Sequence, residues 1–286
     1  MSGGPDSLAL LLLAHSAMPA DIEAATVDHG LRPESAGEAA MVARLCAELG
    51  VAHAILRVDV AGGNLQDEAR RARYAALEGW ARERGLAAIA TAHHADDQAE
   101  TLLMRLNRAS GAAGLAGVRA RTQVPGGDLA LLRPLLGWRR AELQAVLDGA
   151  GVAAAQDPSN ADERFDRVRM RRALAGTGWL DVPAIAQSAG HLADADEALE
   201  WTAIREWAER VEDRGGRYLY RPRGPRAIRL RVLARAIGLL GGAPRGGALA
   251  QLDEALMCGS AANCGGVAGR STAEGWLLEP EPARRN

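Results

Sequence analysis

The stretch TAHHADDQAET, residues 91–101, gathers His93, Asp96, Asp97 and Glu100 within a few positions. If a helix begins near Ala95, then His93, Asp97 and Glu100 recur at spacings of four and three and share one helical face, with Asp96 beside them. Two adjacent carboxylates can bind Mg²⁺, with Asp97 the metal position, or hold and deprotonate an amine. They can equally be charges that complement a helix N-terminus. Zinc does not suit the spacing, which lacks a third nitrogen or sulfur ligand nearby. A second stretch, SGGPDS, opens the chain as Ser2, Gly3, Gly4, Pro5, Asp6 and Ser7. Consecutive small residues let backbone N–H groups converge on an anion, and a helix starting at Asp6 or Ser7 adds its dipole to the same spot. That is a phosphate cradle without lysine.

Two further groups have suitable chemistry. In VDHGLRPES, Asp28, His29 and Arg32 stand where a strand ends and a helix begins at Ser35, a capping position. In EARRARY, Arg70, Arg73 and Tyr74 share a helix face, which suits stacking and phosphate contact or else is a solvated arginine face.

Composition narrows the classes. Among 286 residues there is no lysine, so all 34 basic side chains are arginine. A Walker A loop and Schiff-base catalysis both need that amine and are excluded. The formal charge of −2 is uninformative as a total, so charge must be read locally. Cys46, Cys258 and Cys264 form neither a CxxC pair nor a disulfide framework, which favours a reducing compartment and a cytoplasmic location. The apolar run LALLLLAHSAM is too short to span a bilayer and lacks the flanks of a signal peptide, so no membrane partner is expected.

These residues need elements to position them. Helix, strand and helix signals alternate from Leu8 through the helix after Ala95, with strands at DIEAATVDHG, VAHAILRVDV and LAAIATA. This predicts an α/β fold, a parallel sheet flanked by helices, with ligands at the carboxyl ends of the strands. Beyond LLRPLL strand signals fade. Helices are expected over 139–150 and 161–173, then one long helix from Pro183 to Asp213. We expect a catalytic domain over 1–180, and over 181–286 a connector helix with a smaller, mainly helical domain that binds RNA. Between Asp213 and Asp253 no acidic residue occurs, yet nine arginines do, among them Arg221 and Arg223, with Tyr218 and Tyr220 interleaved. Arginine with exposed aromatics suits phosphates and unstacked loop bases. A second basic cluster, RFDRVRMRR, contains Arg167 and Arg169.

SGGxDS resembles the pyrophosphate loop of the ATP pyrophosphatase (PP-loop) superfamily, which has an adenine nucleotide α-hydrolase-like fold. There the loop follows a first strand; this chain starts at the loop, and that strand is expected upstream of Met1. SGGxDS, DHGLR, ARxxRY, HHxDDQxET, GLAG, RPLL and DPSN, in that order through about Arg172, further resemble the tRNA(Ile)-lysidine synthetase family. Ala109 stands where that family usually has glycine, Ala92 replaces a common glycine, and Val168 a frequent asparagine. The resemblance implies an ATP-dependent ligase that uses Mg²⁺, adenylates C2 of the wobble cytidine of a CAU-anticodon tRNA(Ile), and joins free L-lysine to it. It implies that Asp6, His93, Asp96, Asp97 and Glu100 are catalytic, and that residues 2–7 with Asp28 and His29 bind ATP. Arg70, Arg73, Arg167, Arg169, Arg221 and Arg223 would contact the tRNA anticodon loop. Oligomeric state stays open, with a dimer among the alternatives. Alternative readings are a tRNA 2-thiocytidine synthetase, which needs cysteine pairs that this spacing does not offer, and a non-catalytic tRNA-binding protein that has lost its ATP site with the first strand.

Overall fold

A computed structural model describes residues 1–28, 34–58, 65–155, 164, 166–244 and 246–281, the side chains of 34–35 and 65–67 excepted. The chain forms two compact units, Met1–Ala193 and Asp194–Asn286. The division falls inside the long helix rather than at the expected 180/181 boundary.

The first unit alternates as its hydrophobic pattern requires: α1 (Pro5–Ala17), β1 (Glu23–Asp28), α2 (Glu34–Glu48), β2 (Ala52–Arg57), α3 (Leu65–Glu83), β3 (Ala88–Ala90) and α4 (Ala95–Leu106). It continues through α5 (Ala112–Leu115), β4 (Arg121–Gln123), β5 (Ala130–Leu132), α6 (Arg140–Ala150) and α7 (Asp166–Gly176) into α8 (Val182–Arg210). β1 and β2 pair in parallel, as do β3 and β5, while the short β4 lies antiparallel to β5. Parallel pairing joined by helices is what the alternation predicts.

α1 is apolar nearly all round, and such a helix must be buried. Leu8, Leu10 and Leu11 pack with Val42 and Cys46 of α2 and Leu143 and Leu147 of α6. Each fully buried leucine contributes about 2 kcal/mol. A second cluster joins Tyr74 and Ala81 of α3 to Ile89, Val124 and Leu131. Because α1 and α6 share the first of these cores, their N-termini are held in place by packing.

α4 also orders the loop that follows it. The Gln98 amide brackets Val118, accepting its N–H and donating to its carbonyl at 2.7 Å each. Arg105 donates to the carbonyls of Gly114 and Gly117 at 2.6 and 3.2 Å. Gly117 has φ +65°, and a Cβ there would sit 2.3 Å from the Gln98 carbonyl oxygen. The helix ends in a Schellman turn, with Ser110 N–H bonded to Arg105 O and Ala109 N–H to Leu106 O, both at 3.0 Å. Ala109, the departure from glycine, takes the left-handed position at φ 53°. Ala109→Gly is therefore expected to stabilise this unit by about 1 kcal/mol, because relief of the left-handed strain exceeds the added chain entropy. A urea midpoint that fails to rise at constant slope would contradict this.

The second unit holds the C-terminal part of α8, then β6 (Val211–Asp213), β7 (Tyr218–Tyr220), α9 (Arg226–Leu239), α10 (Gly246–Met257), β8 (Ala261–Cys264), β9 (Val267–Thr272) and β10 (Gly275–Pro280). Its helices hold most of its ordered residues, as expected, but the sequence reading did not foresee the five-stranded sheet of order β6-β7-β10-β9-β8. The short apolar runs of the sequence near Val267 and Trp276 are β9 and β10. Ile228, Leu233 and Ile237 of α9 pack with Leu252, Leu256, Tyr220 and Leu278.

Candidate active site

The glycine loop is folded around its own serines. Ser7 Oγ donates to Gly4 O at 3.0 Å, Ser2 Oγ lies 3.2 Å from Ser7 Oγ, and Gly4 N–H points at Ser2 Oγ at 3.4 Å. Gly3 adopts φ +71°, which glycine enters without strain. Its carbonyl accepts the Ala155 N–H at 2.9 Å, and the Met1 amine donates to Ala25 O of β1. Pro5 then begins α1 with Asp6 in its first turn, a favoured arrangement at a helix start. The N-terminus of α1 opens there, a helix end of the kind at which anions bind.

α4 brings its own N-terminus to the same place. Its cap residue is His94, fully buried, whose N–H donates to Asp97 Oδ2 at 3.0 Å. The His94 ring links the two motifs: Nε2 lies 3.5 Å from Asp6 and 3.6 Å from Asp97, while Nδ1 lies 3.5 Å from Asp96. Burial opposes a charge on this ring, but the attraction of Asp6, Asp96 and Asp97 outweighs it and raises the pKa to about 9. His94 is thus an imidazolium at neutral pH. Burial would likewise raise the Asp6 carboxyl, yet His94, Arg140 and Arg171 hold it below its ordinary value.

Two later helices close the cluster. Arg139 grips Asp96 with Nε and Nη2, both at 3.2 Å, and the Arg140 N–H donates to the same carboxylate at 2.8 Å. Against the effect of burial, His94, Arg139 and the Arg140 N–H keep the Asp96 carboxyl well below the usual carboxylate range. From α7, Arg167 donates to Asp97 Oδ1 at 2.8 Å and to Glu100 Oε2 at 2.7 Å, and Arg171 to Glu100 Oε1 at 2.9 Å. Glu100 is 1% exposed.

Asp97 and Glu100 share a face as the spacing predicts. His93 does not: α4 starts at Ala95, so His93 lies in the extended segment after β3, where Thr91 Oγ1 meets its Nδ1 at 3.1 Å. Burial lowers its pKa to about 4, with Arg133, Arg167 and Arg70 adding to the shift and Asp97 opposing it. His93 is therefore neutral where His94 is charged. Asp28 closes β1, and its carbonyl accepts the Val58 N–H at 3.1 Å. His29, Arg32, DPSN and Arg245 lie outside the described residues, as does the side chain of Ser35.

Tyr74 is fully buried, with the guanidinium carbons of Arg70 and Arg73 at 5.1 and 5.3 Å from its ring centroid. Arg167 faces the α4 carboxylates, and Arg169 pairs with Asp166. In the second unit the linear charge count misleads. Arg214 and Arg221 pair with Glu212, Arg229 binds the buried Asp253 through two bonds of 2.8 and 2.9 Å, and Arg231 pairs with Asp196. Acidic residues before and after the arginine run fold back onto it. Arg223 donates its backbone N–H to Glu206 at 2.7 Å. The two tyrosines are also not exposed platforms. Tyr220 is fully buried with its hydroxyl on Glu206 at 3.0 Å, and Tyr218 packs edge-on against Trp207.

Residues that the sequence reading missed are His94, Arg139, Arg140 and Arg171. Their signals were the second histidine of the doublet, the arginine pair opening α6, and the fourfold arginine periodicity of RVRMR.

Residues 1–177 match the PP-loop domain family. The chain is 52% identical to the tRNA(Ile)-lysidine synthase of Novosphingobium aromaticivorans, covering 100% of this chain and 89% of that protein. It is 42% identical to the same enzyme of Zymomonas mobilis, covering 100% and 88%, and 44% identical to that of Ruegeria pomeroyi, covering 93% and 66%. Among solved structures, the U34-tRNA thiolase NcsA from Methanococcus maripaludis with its [4Fe-4S] cluster is similar in fold, with a TM-score of 0.57 and 16% identity over 68% of this chain and 70% of that one. A glycine loop and an acidic helix start meeting at one buried histidine, on a chain this similar throughout to enzymes of one kind, place the protein in the tRNA(Ile)-lysidine synthase family.

Proposed function

We infer that this chain joins free L-lysine to C2 of the wobble cytidine of tRNA(Ile) with a CAU anticodon, consuming ATP and releasing AMP and pyrophosphate. The observation that carries the reading is the meeting of Asp6, from the glycine loop, and Asp97, from α4, at the same His94 nitrogen. One pocket can then hold a polyphosphate and an ammonium side by side. In the first step the cytosine O2 attacks the α-phosphate; in the second the lysine ε-amine displaces AMP.

Each group has a task that its environment supports. The loop N–H groups flanking Pro5 and the α1 terminus are the proposed receivers of the leaving pyrophosphate, and Asp28 and His29 the proposed nucleotide contacts. Asp97 receives the lysine ammonium, and Asp96, locked by Arg139, holds His94 in place. His93, neutral at pH 7, does not repel an incoming ammonium, but with its pKa lowered to about 4 it is a weak base. Asp6 Oδ1 is buried and has no hydrogen-bond partner among the described residues. With Asp97 it offers the hard oxygen donors that Mg²⁺ takes, since that ion completes its shell with phosphate and water. Mg²⁺ held there would offset phosphate charge. Arg70, Arg73, Arg169, Arg221 and Arg223 are the proposed tRNA contacts, and with tRNA as substrate the enzyme acts in the cytoplasm. Among the described residues no helix is long and apolar enough to cross a membrane.

Relatives at 42–52% identity over the whole chain are lysidine synthases, which weighs against the thiolating alternative and against a non-catalytic binder. Radiolabelled ATP tests the reading: AMP should accumulate only when both the tRNA and lysine are supplied. AMP formed without tRNA, or none formed with both, would contradict it.

A further inference from the structure

Asp97 and Glu100 stand one turn apart on α4 and share a single guanidinium, that of Arg167, at 2.8 and 2.7 Å. The two carboxylates differ in what else they hold. Glu100 keeps the Arg171 Nε at 2.9 Å and has an Arg140 nitrogen at 4.0 Å. Asp97 accepts the His94 N–H through Oδ2, but its Oδ1 is turned to Arg167. If Arg167 swung away, Glu100 would remain neutralised by two cations while Asp97 regained a free charged oxygen. Arg167 can swing, since its side chain is 42% exposed and it reaches the pair from α7.

A guanidinium on a carboxylate fills the place that an ammonium would fill. The neighbouring loop, meanwhile, is built to receive a polyphosphate, to which an arginine binds readily. Arg139, Arg140, Arg167 and Arg171 are gathered around the carboxylates of Asp96, Asp97 and Glu100, so an arriving polyphosphate meets arginines already seated beside the loop.

We propose that Arg167 occupies the lysine-ammonium subsite at Asp97 until the ATP polyphosphate draws it off, so that lysine binds after ATP. Arg167 is in this sense a positioning residue: it acts through Asp97. The proposal rests on the reading of Asp97 as the ammonium site, and it adds an order of binding. The amine is kept from the carboxylate until the nucleotide that it will need is in place.

Equilibrium dialysis of radiolabelled lysine against the full-length chain tests this, with and without Mg²⁺ and an α,β-methylene analogue of ATP. In the wild type the analogue should tighten lysine binding by about tenfold, the scale of one partly exposed charge-assisted pair. Arg167→Gln should bind lysine in the absence of nucleotide about as well as the wild type binds it with the analogue. Such a gain is not what a merely structural loss produces. Arg167→Lys, which restores an ammonium, should restore the dependence on nucleotide. Arg171→Gln, which leaves Arg167 on Asp97, should keep it. Equal lysine affinity in the wild type with and without analogue overturns the proposal, and does so even if Arg167→Gln fails to fold. So does an Arg167→Gln protein, folded by circular dichroism, whose binding remains weak without nucleotide. Asp97→Asn separates the two levels. If that variant still binds lysine, the ammonium site itself is misplaced; if it loses lysine while Arg167→Gln gains nothing, only the ordering fails.

Discussion

Asp97→Asn is expected to lower kcat/KM for lysidine formation about a thousandfold, which corresponds to ~4 kcal/mol of lost transition-state stabilisation. The amide of that variant would keep an oxygen for the His94 N–H, which the native carboxylate accepts at 3.0 Å. The start of α4 should therefore stay formed, although the amide NH₂ turned to Arg167 replaces an ion pair of 2.8 Å and lowers stability by about 1–2 kcal/mol. What disappears is the charge. The ammonium of the incoming amine and the divalent ion both need an anionic oxygen, and an amide dipole supplies a small fraction of that field. The measurement is single-turnover lysidine formation with saturating ATP and tRNA. Activity within tenfold of the wild type, in a protein folded by circular dichroism, would remove Asp97 from the chemistry.

The same residue shows what the sequence made legible. Asp97 and Glu100 were found by helical spacing, because that argument needs only the elements in which they sit, and α4 was foreseen to begin at Ala95. The helix phase then decided between two adjacent histidines. Spacing favoured His93, which on a continuous helix would line up with Asp97 and Glu100, but the chain is still extended there. His94, at the cap, is the one turned inward against three carboxylates. Local periodicity cannot see such a choice, since it depends on where the first helical hydrogen bond closes. Arg139, Arg140 and Arg171 left local signals that named no partner: their partners lie 43 to 71 residues away in the chain, and only the packing of α6 and α7 beside α4 brings them together.

Distance along the chain also explains the errors in the second unit. The arginine run from Arg214 is free of acids in one dimension, but α8, α10 and the turn between β9 and β10 supply Asp196, Asp253 and Glu274 in three. Its sheet was missed because β6 and β7 are three residues long, too short for an alternating pattern to register. The longer β9 and β10 did leave a signal.

Glu100→Gln should be the most damaging single change to the fold of the first unit. The carboxylate is buried, whereas the guanidiniums that it neutralises, Arg167, Arg171 and Arg140, retain between 31% and 42% of their side-chain exposure. Breaking a fully buried pair costs about 3–5 kcal/mol, and the partial hydration of these arginines places the cost here at the lower end, about 3 kcal/mol. A glutamine amide cannot substitute. Its oxygen can serve one guanidinium, but its NH₂ must then face another donor, so one bond is lost and one contact turns repulsive. Because the cluster joins α4 to α7, the loss should appear as faster hydrogen exchange in both helices, with the Ile228–Leu233–Ile237 core of the second unit unaffected. Wild-type protection in α4 and α7 of the variant would mean that the arginines are held by the helix packing alone, and that Glu100 is a passenger in its own cluster.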